Sequence, residues 1–314
     1  MAEAVSWRRA ALAARPVSPT STATPTSVAE SALLVDAATE PGSEGSLRLV
    51  VERVGGRTRI AELECSGPIQ VLRCQYLDSA APDIASVTIA SPSGGVLQGD
   101  RLRIAVEVRP GARVVLDTQS ATRLYRMPAR PALIEARFDV ADGGWLEYVP
   151  DPYIPFAGSN TTIDTVLAID AAATVLIGEI VAAGRVARGE IFQMTAFRSS
   201  VIAIRPSGEL LFTDATEFLG GEALADPGMM GNCAALGSLY DVRAEADPEV
   251  LRAAISGYAP PTARAGASTL PNDAGAWLRV IAENTAGAKA VVDAGRDAAR
   301  VEALGTASPP SRRL

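Results

Sequence analysis

The chain has 314 residues, of which 48% are hydrophobic, so it can bury the core of one large β-rich domain or of two ordinary domains. Its net charge of −7 disfavours nonspecific nucleic-acid binding through a basic face. The chain contains no histidine, which excludes Ser-His-Asp triads, Cys-His dyads and His-ligated zinc.

The first 45 residues are rich in Pro, Ser, Thr and Ala, and this composition predicts a disordered extension. The stretch 6–27 has arginine without acid and so has a weak similarity to a transit peptide, but the chain start lacks the compact apolar core of a secretory signal. No run of about 18 apolar residues occurs, so no membrane-spanning helix is expected. We therefore expect a cytoplasmic protein, without a membrane partner, that is ordered from Ser46 onward.

From Ser46 the chain consists of short runs with period-two alternation, separated by turn residues. Because no helical periods intervene, this pattern predicts a mainly β fold: a large antiparallel, many-stranded body of the sandwich or β-helix-like kind. The predicted strands are 47–54, 58–65, 69–76, 85–90, 101–108, 112–118, 133–140, 145–149, 162–169, 173–181, 192–204 and 210–213.

The pattern changes after Thr213. Ala, Leu and charged residues at helical spacing predict two C-terminal helices, over 248–256 and 286–304, with a loop over 257–273 between them. We assign residues 46–304 to a single β-rich domain that includes these helices, and 305–314 to a flexible tail.

A Gly-Gly and a Gly-Asp lie within the stretch Ser91–Val108, and loops of this kind often cradle phosphates. The residues after Asp100 alternate as a strand instead of opening a helix, and no Gly-Lys-Ser/Thr follows. We therefore interpret Gly94, Gly95 and Gly99 as turn residues that lead into a strand, and we expect this chain to bind no nucleotide.

Four segments are more specific than packing alone requires. They are "GGVLQGDRL" at 94–102, "DTQSATRLYR" at 117–126, "LEYVPDPYIPFAGS" at 146–159 and "GEIVAAGRVARGEIF" at 178–192. Together and in this order they resemble the urease accessory protein D family (UreD, also called UreH). The resemblance extends to "PNDAGAWLRVIAENTAGAKAV" at 271–291 and covers residues 46–304. The chain departs from the family in having Ser93 where Pro is usual, and in lacking histidine.

The resemblance implies a non-enzymatic nickel-delivery scaffold, a metallochaperone with a largely β fold and a pair of helices. Members of the family bind the accessory protein UreF and through it the GTPase UreG, and they dock on urease apoprotein so that nickel reaches the buried active site. On this interpretation nickel is carried transiently, and GTP belongs to a partner.

Acidic residues of the matched segments are the candidates for a metal path, because carboxylates hold nickel more weakly than imidazole or thiolate does. The candidates are Asp100, Glu147, Asp151, Glu179 and Glu190. Each has a structural alternative: Asp100 as a turn cap, Glu179 paired with Arg185, and Glu190 paired with Arg188 or Arg126. Glu179 stands in an apolar run, so it needs a partner or a water-filled path.

Other residues of the segments are candidates for partner contacts or for shaping the turns. Thr118 and Thr122 supply hydroxyls, and Tyr125 and Arg126 are types favoured at interface centres, although a Thr-rich turn with its Tyr bound to the backbone fits equally well. Gly184 and Arg185 belong to the Gly-Arg part of the last segment. The prolines around Tyr153 and Phe156 predict an extended segment with exposed aromatic rings.

A carbohydrate-acting β-fold enzyme is the alternative. Glu147 with Asp151, or Glu179 with Glu190, would serve as acid and base. An aromatic content of only 5% argues against it, since sugar clefts usually stack sugars on aromatic rings.

Overall fold

The structure, a computed structural model, describes residues 42–309. The predicted N-terminal extension lies outside the described residues up to position 41, and the predicted tail does so from position 310. The first strand begins at Glu44, slightly before the predicted start of order at Ser46.

Seventeen strands and two α-helices make up the described part of the chain. The strands are β1 Glu44–Val54, β2 Arg57–Ser66, β3 Gln70–Val71, β4 Ala85–Ala90, β5 Arg101–Val108, β6 Arg113–Thr118, β7 Thr122–Leu124, β8 Ala132–Val140, β9 Trp145–Tyr148, β10 Tyr153–Pro155, β11 Asn160–Ile169, β12 Thr174–Ala182, β13 Ala196–Ile204, β14 Leu210–Leu219, β15 Ala235–Val242, β16 Ala263–Thr269 and β17 Ala276–Ala282. The helices are α1 Pro248–Tyr258 and α2 Thr285–Leu304. The predicted mainly β architecture with two C-terminal helices is confirmed.

The strands form two facing sheets. The first sheet has seven strands in the order β14-β13-β11-β8-β5-β1-β2. The second has ten strands, in the order β16-β17-β15-β12-β9-β6-β4-β3, with β10 paired to β12 and β7 paired to β10. Between β4 and β13 most successive strands alternate between the two sheets, so the chain winds in coils like a solenoid.

The predicted antiparallel pairing is wrong for the interior of both sheets. In the first sheet β1, β5, β8, β11 and β13 are parallel neighbours, and in the second β4, β6, β9 and β12 are. Antiparallel pairs remain toward the sheet ends, for example β1 with β2 and β13 with β14. Period-two alternation and short connections specify strands but not their direction, because in a coil each connection between parallel neighbours runs through the opposite sheet.

The second sheet is covered on both faces. Its inner face packs against the first sheet in the main core, to which Leu146 and Tyr148 of β9 contribute. Its outer face packs under the helices in a separate core, to which Trp145 and Val149 contribute. Strand β15 is buried at every position for this reason.

Helix α2 lies on the outer face of the second sheet through Ala288, Val291, Val292 and Ala299. Asn284 caps its start by accepting a hydrogen bond from the Gly287 amide, and Gly305 ends it in a left-handed conformation. Among the described residues, neither helix combines the length and the apolar character needed to cross a membrane.

Two predictions in the C-terminal part are wrong. The predicted loop over 257–273 contains strand β16, and the preceding and following strands β15 and β17 were not predicted.

Candidate functional site

The four motif segments meet at one end of the β body. Strand β7, from the second segment, pairs in parallel with β10, from the third, and Val96 of the first segment bridges to Leu124 of β7. Tyr153 of β10 pairs with Val181 of β12, in the fourth segment. The structure therefore joins segments that are far apart in sequence.

A stack of side chains connects these segments. The Tyr125 and Phe156 rings meet edge to face, with centroids 5.0 Å apart. The guanidinium carbon of Arg185 lies 4.1 Å from the Phe156 ring centroid, within the range of a cation–π contact. Arg185 also donates from Nε to Glu190 Oε2 at 2.7 Å and makes a second bond to the other carboxylate oxygen.

Close packing explains two of the glycines. A Cβ on Gly95 would lie 2.7 Å from the Tyr125 ring. A Cβ on Gly184 would collide with the backbone carbonyl of Glu190, and Gly184 also has a φ of 144°. Gly94 and Gly99 have φ values of 75° and 74°, and the turn they shape leads into strand β5, as predicted.

Asp100 is buried in this turn. Its carboxylate accepts hydrogen bonds from the backbone amides of Ser43 at 2.9 Å and Leu97 at 2.8 Å. These contacts are those of the turn cap that was the structural alternative for this residue.

Glu147 points toward the helices. Arg300 of α2 donates to Glu147 Oε2 at 2.6 Å and to Asp78 Oδ2 at 2.5 Å, and Arg296 lies 3.6 Å from Glu147 Oε1. The side chains of Arg300, Glu147 and Asp78 are almost fully buried. Sequence reasoning missed Arg300 because nothing in its local pattern separates it from the other charges of α2.

Asp151 and Thr118 are neighbours at the motif end. The Asp151 amide donates to Thr118 Oγ1 at 2.8 Å. Next to Thr118, burial raises the pKa of Asp117, while Arg296 lowers it and Glu147 and Asp151 raise it further. This ties Asp151 electrostatically to the helix-facing group of charges.

Glu190 is held by Arg185, not by Arg188 or Arg126, and it also accepts from the Ala157 amide at 3.3 Å. The hydrogen bond from Arg185 holds the pKa of Glu190 below its ordinary value.

Glu179 lies on the inner side of β12, between the two sheets. Its carboxylate accepts a hydrogen bond from the Ser199 hydroxyl at 2.7 Å. Burial raises its pKa to about 7, although the Ser199 hydrogen bond and Arg279 oppose the shift. Its predicted pairing with Arg185 is wrong, because Arg185 pairs with Glu190.

A small cavity of about 20 Å³ adjoins Glu179, enough for about one water. Its polar lining includes Tyr148, Tyr153, Thr165 and Tyr240. The Tyr240 hydroxyl donates to Asp214, which also pairs with Arg279. The prediction of exposed aromatic rings is wrong for Tyr153, which is only 7% exposed.

A second cavity of about 90 Å³ lies at the motif end. Gly94, Gly95, Thr118 and Thr122 line it, together with the hydroxyl of Ser120. Both cavities also have Tyr148 and Tyr153 in their walls. The two phenols are hydrogen-bonded to each other, so this tyrosine pair separates the two cavities.

Burial keeps these phenols neutral. The pKa of Tyr148 rises to about 12, and that of Tyr153 lies well above its ordinary value. From the motif end inward, the polar groups thus run from threonine hydroxyls through two neutral phenols to Glu179. Sequence reasoning singled out Glu179 and the threonines but missed Tyr148, Asp214, Tyr240 and Arg279.

The acid and base pairs of the carbohydrate-enzyme alternative do not share a cleft. Glu147 is bound to Arg300 under the helices, whereas Glu179 lies between the sheets and Glu190 is bound to Arg185. Across residues 42–309, no three His, Cys, Asp or Glu side chains cluster closely enough to hold a metal ion.

Comparison with known proteins gives one consistent result. Residues 43–314 match the family described as UreD urease accessory protein. A urease accessory protein UreD of Haloarcula marismortui is 33% identical over 275 residues, which cover 87% of this chain and 91% of the relative. UreD 2 of Streptomyces griseus is 31% identical, covering 87% and 94% of the two chains, and UreD of Yersinia pseudotuberculosis is 32% identical, covering 85% of each.

Proposed function

We propose, since the chain belongs to the UreD family of urease accessory proteins, that it delivers nickel to urease apoprotein in the cytoplasm. That family consists of non-catalytic accessory proteins. In this proposal nickel is a transient cargo, UreF and UreG are the partners, and UreG hydrolyses the nucleotide.

The observation that carries the proposal is the series of oxygen groups between the two sheets. It begins at the cavity lined by Thr118 and Thr122, passes the tyrosine pair Tyr148 and Tyr153, and reaches Glu179. Hydroxyl, phenol and carboxylate oxygens bind nickel more weakly than the imidazole and thiolate ligands that trap it. Such a series suits a metal that must be handed on.

Glu179 is the acid best placed to act in this path. With a pKa of about 7 it exchanges its proton near neutral pH, so an arriving cation is able to displace that proton. Ser199 fixes one of its oxygens, and the adjoining cavity leaves room beside the carboxylate.

The other predicted acids have structural partners, and the proposal gives them no metal contact. Asp100 holds its turn, Glu147 holds helix α2, and Glu190 holds Arg185. Asp151 lies next to Thr118 at the motif end and stays a predicted path residue.

The test is a Glu179→Gln variant, which keeps the shape and the Ser199 contact but removes the charge. In cells that lack their own copy of the protein, we expect the variant to lower urease activity and the nickel content of purified urease by about tenfold or more. The variant should accumulate to the wild-type level and still co-purify with UreF.

The matched control is Glu64→Gln on the exposed strand β2, which should activate urease normally. Wild-type activation by Glu179→Gln would contradict the path through Glu179. Normal urease maturation without the protein would contradict the proposed function as a whole.

A further inference from the structure

One surface at the motif end has no role in the path between the sheets. It consists of Arg126, Phe156, Arg185, Val186, Arg188 and Ile191, and we call it the arginine–aromatic patch. Its members come from the second, third and fourth motif segments, which are joined by β7, β10 and β12.

The centre of the patch is pre-ordered. Glu190 holds the Arg185 guanidinium by two hydrogen bonds, and the ring of Phe156 lies beneath it. Phe156 is in turn supported by Tyr125. A partner that binds here therefore has little side-chain freedom to remove at this point, which favours binding.

The patch is apolar as well as cationic. Val186 is 40% exposed and Ile191 is 44% exposed, although both are aliphatic. Arginine and aromatic side chains beside exposed aliphatic ones are typical of the centres of protein interfaces.

The patch carries excess positive charge. Arg126 and Arg188 are exposed, and neither forms an ion pair with another residue of the described range. Arg126 runs alongside Gly158, whose neighbour Ala157 donates to Glu190. Three guanidiniums thus share the single carboxylate of Glu190, on a chain whose net charge is −7.

We propose that the arginine–aromatic patch docks a partner protein whose contacting surface is rich in carboxylates. The inference rests on the proposed function, because the partner is one of the proteins of nickel delivery. Gly95 touches the Tyr125 ring of the stack and also lines the larger cavity, so the docked partner lies next to that cavity.

A protein fits this patch better than a lipid surface does. Recognition of anionic lipids uses clusters of about four to eight Lys or Arg side chains. The patch has three, and Arg185 is already engaged by Glu190. Its rigid ring and guanidinium suit a shaped protein surface, where bidentate arginine contacts to carboxylates are strong.

The test compares two double charge reversals. Arg126→Glu with Arg188→Glu changes the patch, and Arg59→Glu with Arg73→Glu is the matched control. Arg59 lies on β2 and Arg73 follows β3, the strands at the far ends of the two sheet orders from β13 and β14 and from β16. All four arginines are exposed, so both variants should fold, which circular dichroism checks.

Binding of immobilised protein to purified UreF, UreG and urease apoprotein is measured separately, at low and at high salt. We expect the patch variant to lose about tenfold or more in affinity for one of the three, mainly through slower association, and to show a weaker salt dependence. The control variant should bind as the wild type does.

Three outcomes overturn the inference. If the wild type binds none of the three proteins, the proposed function itself fails. If the wild type binds and both double variants bind equally well, only the patch is wrong. If the patch variant loses binding to phosphatidylserine vesicles but not to any protein, the surface recognises lipid instead.

Discussion

At the scale of single residues, Glu179 combines two opposed requirements. It is an acid in an apolar run, and it lies between two sheets with only the Ser199 hydroxyl and a small cavity beside it. Burial of a carboxylate costs stability once it is ionised. A residue kept at that cost in the middle of a core is expected to serve function more than folding.

The cost predicts a pH dependence of stability. The pKa of Glu179 is about 7 in the folded protein and 4.5 for an ordinary glutamate, so the folded state keeps its proton to higher pH. The contribution to the free energy of unfolding is therefore full below pH 4.5, falls as pH rises toward about 7, and is then lost. The total change is on the order of 3 kcal/mol.

The measurement is urea denaturation of the wild type and Glu179→Gln at about pH 5 and about pH 8. The wild type should lose stability relative to the variant between the two. Burial also raises the pKa of Asp241, to about 6, but Asp241 is present in both proteins and cancels. A difference between the two proteins that stays constant with pH would show that Glu179 ionises normally.

At the scale of elements, local pattern predicted what has one wet face. Strand β5 was predicted at Arg101–Val108 and occurs there, because its polar residues alternate with buried ones. Strand β15 has both faces buried and therefore no alternation to detect. Strand β16 is composed of small and polar residues and is mostly exposed, so its sequence favoured a loop.

Helix α2 depends on close approach to the second sheet at Gly295. A Cβ there would lie 3.0 Å from Leu278 Cδ1 and 3.1 Å from Leu239 Cδ2. We expect Gly295→Val to lower the free energy of unfolding by about 1–3 kcal/mol, because the core must be overpacked.

Gly257 of α1 is the matched control, since a Cβ there meets no atom within 4 Å. Gly257→Ala should raise stability by about 0.5 kcal/mol through helix propensity alone. Thermal unfolding of both variants gives the comparison. Equal effects of the same sign would show that α2 does not pack closely at Gly295.

At the scale of the whole molecule, the site depends on contacts between distant parts of the chain. The sequence predicted the strands, the helices and the motif segments, but not that the strands coil in parallel and bring those segments to one end. It predicted that Glu147 and Glu179 need partners, but not that Arg300 and Ser199 supply them. Partners at such separations follow from the topology and leave no local pattern.

Arg300 joins three such parts: helix α2, strand β9 through Glu147, and the loop after β3 through Asp78. Arg300→Met keeps the length of the side chain but leaves two carboxylates buried without their shared cation. We expect it to lower the free energy of unfolding by about 3–5 kcal/mol, measured by urea denaturation. Adding Glu147→Gln should recover part of the loss, because one of the buried charges is then removed.

The control is Arg252→Met, which breaks the exposed pair with Glu249 and should cost at most about 1 kcal/mol. If Arg300→Met costs no more than this, the buried group does not hold α2 to the sheet. If it costs several times more and Glu147→Gln restores stability, then Glu147 serves the fold. The path between the sheets is then left to Glu179, which faces the opposite side of the same sheet.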